Sequence, residues 1–372
     1  MDYCHLLPLG AVLAAAAFVS AQSAPALKDA YKSDFYIGVA IGDTQIGGED
    51  QRGDALIDSQ FNSISPENAL KWEEVHPQPD KYDFRMADQY VAFGEQHHMF
   101  IVGHTLIWER QVPAWVFHDA KGNLLGRDAL LARMRDHIDT VVGRYKGRIQ
   151  SWDVVNEALN EDGTLRPSLW FKIIGPDYIE KAFQYAHEAD PAAQLTYNDY
   201  NLENPAKCKG AVALVKKLQA EGIPINAVGI QGHLRLDSPT PEQEDAAISA
   251  FAALGVKVAI TELDIDVLPS AGYGPTADVS LRVRQDPKLN PYVNGLPDSV
   301  QQQLADRYAA FFRVFLKHRG ALSRVTFWGV TDADSWLNDW PVKGRTSYPL
   351  LFDRSGQPKP AFQGILRVAS EK

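Results

Sequence analysis

The sequence predicts an α/β protein built as a single (β/α)8 barrel, the TIM-barrel architecture. Three observations carry this. Eight short, nearly continuous apolar segments recur along the chain, longer amphipathic segments alternate with them, and ionisable or amide residues gather at the C-terminal ends of the short segments. Parallel strands covered by helices on both faces read as unbroken apolar runs. A β-then-α rhythm repeated eight times closes as a barrel, and 372 residues are enough to make it as one domain. A doubly wound open sheet shares the rhythm but predicts a glycine-rich phosphate loop after the first strand. "AIGDTQIGGED" has glycines without the G-x-G-x-x-G spacing.

Residues 1–24 stand apart from the barrel. "LLPLGAVLAAAAFV" is an apolar run of signal-peptide length, and "SAQSA" supplies small residues for cleavage after Ala21 or Ala24. The run is short for a spanning helix, although the leader "MDYCH" carries no Lys or Arg. The expectation is a signal peptide over 1–24, a catalytic barrel over 25–372, and a secreted or periplasmic protein.

The barrel strands are expected at 35–42, 61–68, 100–108, 151–158, 194–201, 227–234, 257–266 and 324–332. Apolar residues at helical spacing mark helices at 128–145, 176–189, 207–220, 241–254 and 299–318. Thr240 as cap, Pro241 at the first helical position and an acidic first turn are helix-start chemistry. Residues 267–297 form the longest irregular stretch, and a loop that long in a compact domain is functional or mobile.

Composition narrows the function. The formal net charge of −10 argues against nucleic acid or an anionic membrane as partner and suits a weakly charged ligand. Cys4 falls in the leader and Cys208 in a helical pattern, so neither a disulfide framework nor a cysteine zinc site can form, and Cys208 reads as a packing residue. There is no P-loop, nucleophile elbow or H-E-x-x-H.

The polar residues fall where a barrel keeps its chemistry, at the C-terminal strand ends. They are Glu67, Asn68 and Lys71; His104 and Trp108; Asn156 and Glu157; Asn198, Asp199, Tyr200 and Asn201; Gln231 and His233; Glu262 and Asp264; then Trp328, with Asp332 toward the strand end, and Trp336. In "SWDVVNEALN" the carboxylate of Glu157 ends a strand that looks fully buried, and burying a lone carboxylate costs several kcal/mol. Singly, each of these residues has an ordinary structural reading; together they converge on one pocket. Glu157 and Glu262 would face each other across its mouth. Paired carboxylates serve glycoside hydrolysis, one donating a proton and the other attacking the anomeric carbon. Aromatic faces suit sugar rings, and amides, His and Lys suit hydroxyls. A phosphate ester would call for several arginines.

These residues sit in motifs that resemble glycoside hydrolase family 10, the endo-β-1,4-xylanases. The motifs are "WDVVNEAL", "ITELD", "PENALKWE", "GHTLIW", "YNDYN", "GIQGHL" and "FWGVTDADSW", in the family's order over residues 27–368. The resemblance implies retaining, endo-acting hydrolysis of xylan by a monomer that takes xylan and xylo-oligosaccharides, with no metal and no cofactor. It implies Glu157 as acid/base and Glu262 as nucleophile, oriented by His233 and Asp264. Apart from the resemblance, the charge of Glu262 would favour a protonated Glu157, since a nearby anion disfavours a second one. Asn156 would bond the 2-hydroxyl of the sugar being cleaved, and Glu67, Asn68 and Lys71 would line the glycone side. His104, Trp108, Gln111, Gln231 and His233 would hold the cleaved sugar, with Trp328 and Trp336 walling it. Tyr200 and Asn201 would lie toward the aglycone.

One departure stands out. The family has His after the tryptophan of "HTLIW", and here Glu109 is followed by Arg110. Arg110 would neutralise this third carboxylate, or the charge would perturb both catalytic groups. Competing readings are a β-1,4-glucanase or aryl-β-glycosidase with the same two glutamates, and a metal-dependent barrel using His104, Asp199, His233 and Asp264. A sugar-binding module that has lost catalysis is disfavoured by the presence of both glutamates.

Overall fold

The computed structural model describes Met1, residues 26–270, Gly272 and residues 282–371. The signal-peptide expectation therefore lies, Met1 apart, outside the described residues. Among the described residues there are nine parallel strands: β1 Tyr36–Ile41, β2 Ser63–Pro66, β3 Phe100–Ile107, β4 Ser151–Asn156, β5 Gln194–Asp199, β6 Ala227–Ile230, β7 His233–Arg235, β8 Lys257–Asp266 and β9 Leu322–Phe327. β1 to β6 pair in sequence order, β6 pairs with β8, β8 with β9, and β9 with β1, so the sheet closes on itself. The result is the expected eight-membered barrel.

Every expected strand is present, but most end sooner than their apolar character suggests. Glu157 (φ 58°) and Asn201 (φ 54°) take left-handed backbone, which ends the β4 and β5 ladders one and two residues earlier. Glu67, Asn68, Trp108, Tyr200 and Trp328 likewise lie just past their strands. The sixth expected strand, 227–234, is interrupted: Gly232 has φ 78°, a conformation glycine reaches without a Cβ penalty. β7 resumes beyond it, with His233 opposite Asp264 of β8. That break turns His233 toward Glu262.

Helices cover the outside. Those at Arg127–Arg144, Tyr178–Ala189, Pro205–Ala220, Pro241–Ala252 and Asp298–Lys317 match expectation to within two residues at each end. Thr240 Oγ1 accepts from the Gln243 amide at 3.3 Å, and Gln243 Oε1 accepts from the Thr240 amide at 2.8 Å, a closed capping box. Helices Gln51–Gln60, Arg85–Gln96 and Pro360–Ala369 were not expected and complete the ring. Cys208 is a half-buried free thiol on Pro205–Ala220, its pKa pushed up to about 11 by burial and then by Glu203, as suits a packing residue.

Inside the barrel, the side chain of Arg324 is buried and paired, with Nη2 3.5 Å from Asp153 Oδ1 and Nη1 donating to Ser151 Oγ at 3.3 Å. Within the irregular stretch 267–297, the described part docks on the loop after β9. Val283 bridges Val342, and Asn290 Nδ2 donates to the Gly344 carbonyl at 2.9 Å. Among the described residues, no helix is long and apolar enough to cross a membrane.

Candidate active site

A cleft of about 1250 Å³ opens at the C-terminal ends of the strands, and every residue given a catalytic or sugar-binding role from the sequence lines it, while Asp199 and Glu109 do not. Its floor holds the two glutamates. Glu157 follows β4, and Glu262 lies within β8.

Glu157 is surrounded by neutral donors. Trp108 Nε1 donates to Oε2 at 2.9 Å, and Gln231 Nε2 donates to Oε1 at 3.0 Å. Burial first, and the charge of Asp199 second, push its pKa up to about 7 against the pull of those hydrogen bonds. Glu262 adds a smaller upward push. The upward push expected from the Glu262 charge is present, but removal from water and the charge of Asp199 contribute more.

Glu262 is surrounded differently. Asn198 Nδ2 donates to Oε1 at 2.8 Å, and His233 Nε2 lies 3.2 Å from Oε2. The other ring nitrogen of His233 is 3.0 Å from Asp264 Oδ1, while Asp264 Oδ2 accepts from Trp336 Nε1 at 2.7 Å. Burial alone would lower the His233 pKa, but Asp264 and then Glu262 push it up to about 10. At neutral pH the ring is therefore an imidazolium donating from both nitrogens. Burial would raise Glu262, yet the His233 hydrogen bond, with the charges of His104 and His233 and the Asn198 amide, holds it below the ordinary glutamate value.

One amide ties the two halves together. Asn198 Nδ2 also donates to Asn156 Oδ1 at 2.9 Å, and its Oδ1 accepts from Thr261 Oγ1 at 2.6 Å. Gly229 makes room for it, since a Cβ there would stand 2.3 Å from Asn198 Oδ1. From sequence Asn198 counts only as one of the polar residues at the end of its strand, with no role of its own, although it sits inside "YNDYN"; strand alternation could have pointed it inward.

Beyond Trp108, Lys71 Nζ donates to Gln111 Oε1 at 2.7 Å and Asn68 Oδ1 at 3.0 Å, 5.1 Å from the Trp108 ring centroid. Burial lowers the Lys71 pKa against the opposing pull of Glu67, Glu262, Glu157 and Glu73, and raises Glu67 despite Lys71. The wall is aromatic: Trp328 meets His104 edge-on at 5.4 Å, and Trp336 lies 5.1 Å from His233 and 4.7 Å from Trp340. Trp340 was missed in the sequence reading. Pro269, Ser270 and Arg282 bring the 267–297 stretch to the cleft margin.

Glu109 is not chiefly Arg110's partner. Arg166 Nη1 stands 3.1 Å from Glu109 Oε1, against 3.9 Å for Arg110 Nε. Of the four residues weighed as metal ligands, His233 and Asp264 pair with each other at 3.0 Å, His104 pairs with Asp153 at 3.0 Å, and Asp199 pairs with Lys207 at 2.9 Å.

A (β/α)8 barrel whose cleft sets two buried glutamates in opposite electrostatic states is the equipment of a glycoside hydrolase. Residues 26–368 match the profile of glycosyl hydrolase family 10, and the chain belongs to that family. It is 45% identical to endo-1,4-beta-xylanase A of Xylanibacter ruminicola, over 98% of this chain and 96% of that one. It is 43% identical to a beta-1,4-xylanase of Dictyoglomus thermophilum, over 92% of this chain and 91% of the relative. A solved family 10 endoxylanase retrieved from a sugarcane soil metagenome superposes with a TM-score of 0.90 at 49% identity, covering 92% of this chain and 99% of that one.

Proposed function

We propose that this chain is an endo-1,4-β-xylanase. It hydrolyses internal β-1,4-xylosidic bonds of xylan with retention of anomeric configuration, through a glycosyl-enzyme intermediate. The observation that carries the reading is the contrast between Glu157, held protonated up to about pH 7, and Glu262, held ionised by His233.

Glu262 attacks the anomeric carbon while Glu157 gives its proton to the departing glycosidic oxygen. The C–O bond breaks, the leaving saccharide departs as an alcohol, and the sugar is left as an ester of Glu262. With the negative charge of Glu262 neutralised in that ester, Glu157, now ionised, takes a proton from water. The water attacks the same carbon and frees Glu262. Family membership and the motifs support the remaining roles. Glu67, Asn68 and Lys71 bind the glycone. Asn156 bonds the 2-hydroxyl. His104, Trp108, Gln111 and Gln231 hold the cleaved sugar, and Tyr200 and Asn201 meet the aglycone. His233 and Asp264 position Glu262. Trp328 and Trp336 crowd the site against a hydroxymethyl group, which favours xylose over glucose. The apolar leader supports export with cleavage after Ala21 or Ala24.

Linear xylan tests this directly. Viscosity should fall early and short xylo-oligosaccharides should accumulate, with little turnover of carboxymethylcellulose. Release of xylose alone, with viscosity unchanged, would refute endo action.

A further inference from the structure

Tyr200 lines the cleft with 7% of its surface exposed, and two cations hold it. Lys207, fully buried on helix Pro205–Ala220, places Nζ 3.5 Å from the ring centroid. Arg166 Nη2 donates to the Tyr200 hydroxyl at 2.8 Å. Each cation is anchored in turn. Arg166 reaches Glu109 Oε1 at 3.1 Å and the Leu159 carbonyl at 3.2 Å. Lys207 reaches Asp199 at 2.9 Å and Glu161 at 3.1 Å. Removing such charges from water is unfavourable unless each is paired in good geometry; here each cation has a carboxylate partner, with only Arg166 Nε of the guanidinium left without an acceptor, and together they hold one ring in place.

The ring stands on the side where Glu157 works. The Glu157 amide bonds the Asn198 carbonyl at 2.9 Å across β4 and β5, and Tyr200 is two residues further along the same chain. The charge of Glu157 also acts on both Arg166 and Tyr200. A proton donor lies beside the oxygen it protonates, so the leaving saccharide occupies this side.

Resting on Glu157 as the acid of xylan hydrolysis, we propose that Glu109 and Arg166 are positioning residues for the leaving saccharide, acting through the Tyr200 hydroxyl to fix the ring that the first sugar beyond the cleaved bond meets. Glu109, where the family motif has His, then serves as the counter-ion that aims the Arg166 fork. Neither residue hydrogen-bonds either catalytic carboxylate.

The test compares two substrates. Xylotetraose departs with sugar on the leaving side; β-xylobiosyl fluoride departs as fluoride and has none there. The quantity read is the ratio of their kcat/KM values. Arg166→Met and Tyr200→Phe should each lower that ratio about tenfold, the scale of a lost hydrogen bond to a charged group. The double variant should lower it no further, because both act through one contact. Glu109→Gln should lower it about threefold, and Arg166→Lys should recover only part, lacking the planar fork. If Arg166→Met does not fold, Glu109→Gln and Tyr200→Phe carry the same comparison. Equal losses on both substrates, multiplicative effects in the double variant, or an unchanged ratio would each overturn the proposal. Failure of the unaltered enzyme on xylotetraose would instead overturn the xylanase reading.

Discussion

Glu157 and Glu262 are almost equally buried, at 6% and 5% exposure, yet their surroundings drive them in opposite directions. Glu157 stands past the end of β4 on left-handed backbone and accepts from an indole and a carboxamide. Glu262 lies within β8 and accepts from a carboxamide and an imidazolium, itself backed by Asp264. Burial penalises the charged form of both. At Glu157 neutral donors recover too little of that penalty, to which the charge of Asp199 adds, while at Glu262 the cationic donor, together with the His104 charge and the Asn198 amide, more than offsets it. The surrounding charges, more than the depth of burial, separate the proposed acid from the proposed nucleophile.

Deleting either carboxylate breaks the comparison outright. Glu262→Ala should cost more than about 10⁴ in kcat on xylan, because the covalent route disappears. Glu157→Ala should cost roughly 10²–10⁴, since a xylan alcohol leaves poorly without its proton. Steady-state rates on linear xylan check both.

Removing the cation should pull the two glutamates together. In the unaltered enzyme, kcat/KM should fall as pH rises through about 7, where Glu157 loses its proton. It should also fall as pH drops below the lowered pKa of Glu262, where the nucleophile is protonated. His233→Asn takes away the group that lowers Glu262, so the acidic limb should move to higher pH by about one unit or more. An unmoved acidic limb would mean that His233 only packs the site.

A smaller change sharpens the other side. The Trp108 hydrogen bond favours ionised Glu157, so Trp108→Phe should move the basic limb slightly to higher pH. It should cost several-fold in rate, the size of one hydrogen bond. A shift to lower pH would contradict the sign.

The strands were legible because parallel barrel strands are apolar on both faces, and the site because its residues cluster in motifs at strand ends. Strand ends were not legible: Glu157 and Asn201 interrupt the ladder through backbone φ, which leaves no mark in the apolar pattern. Helix Gln51–Gln60 escaped because only Gly53 and Ile57 of its ten residues are buried, too thin a stripe to read. Helix Pro360–Ala369 had a readable signal in Pro360 with Phe362, Ile365, Leu366 and Ala369 at helical spacing. Arg166 and Lys207 were invisible as site supports, since their partners Tyr200 and Glu161 lie 34 and 46 residues away in sequence.

Pre-steady-state kinetics on a dinitrophenyl β-xylobioside test the division of labour most directly. This leaving group departs without a proton, so formation and breakdown of the intermediate separate. Glu157→Ala should release a rapid burst of dinitrophenol, stall because no base activates water, and speed up when azide replaces water. Glu262→Ala should release no burst, because no ester can form. A burst from Glu262→Ala and none from Glu157→Ala would reverse the two roles.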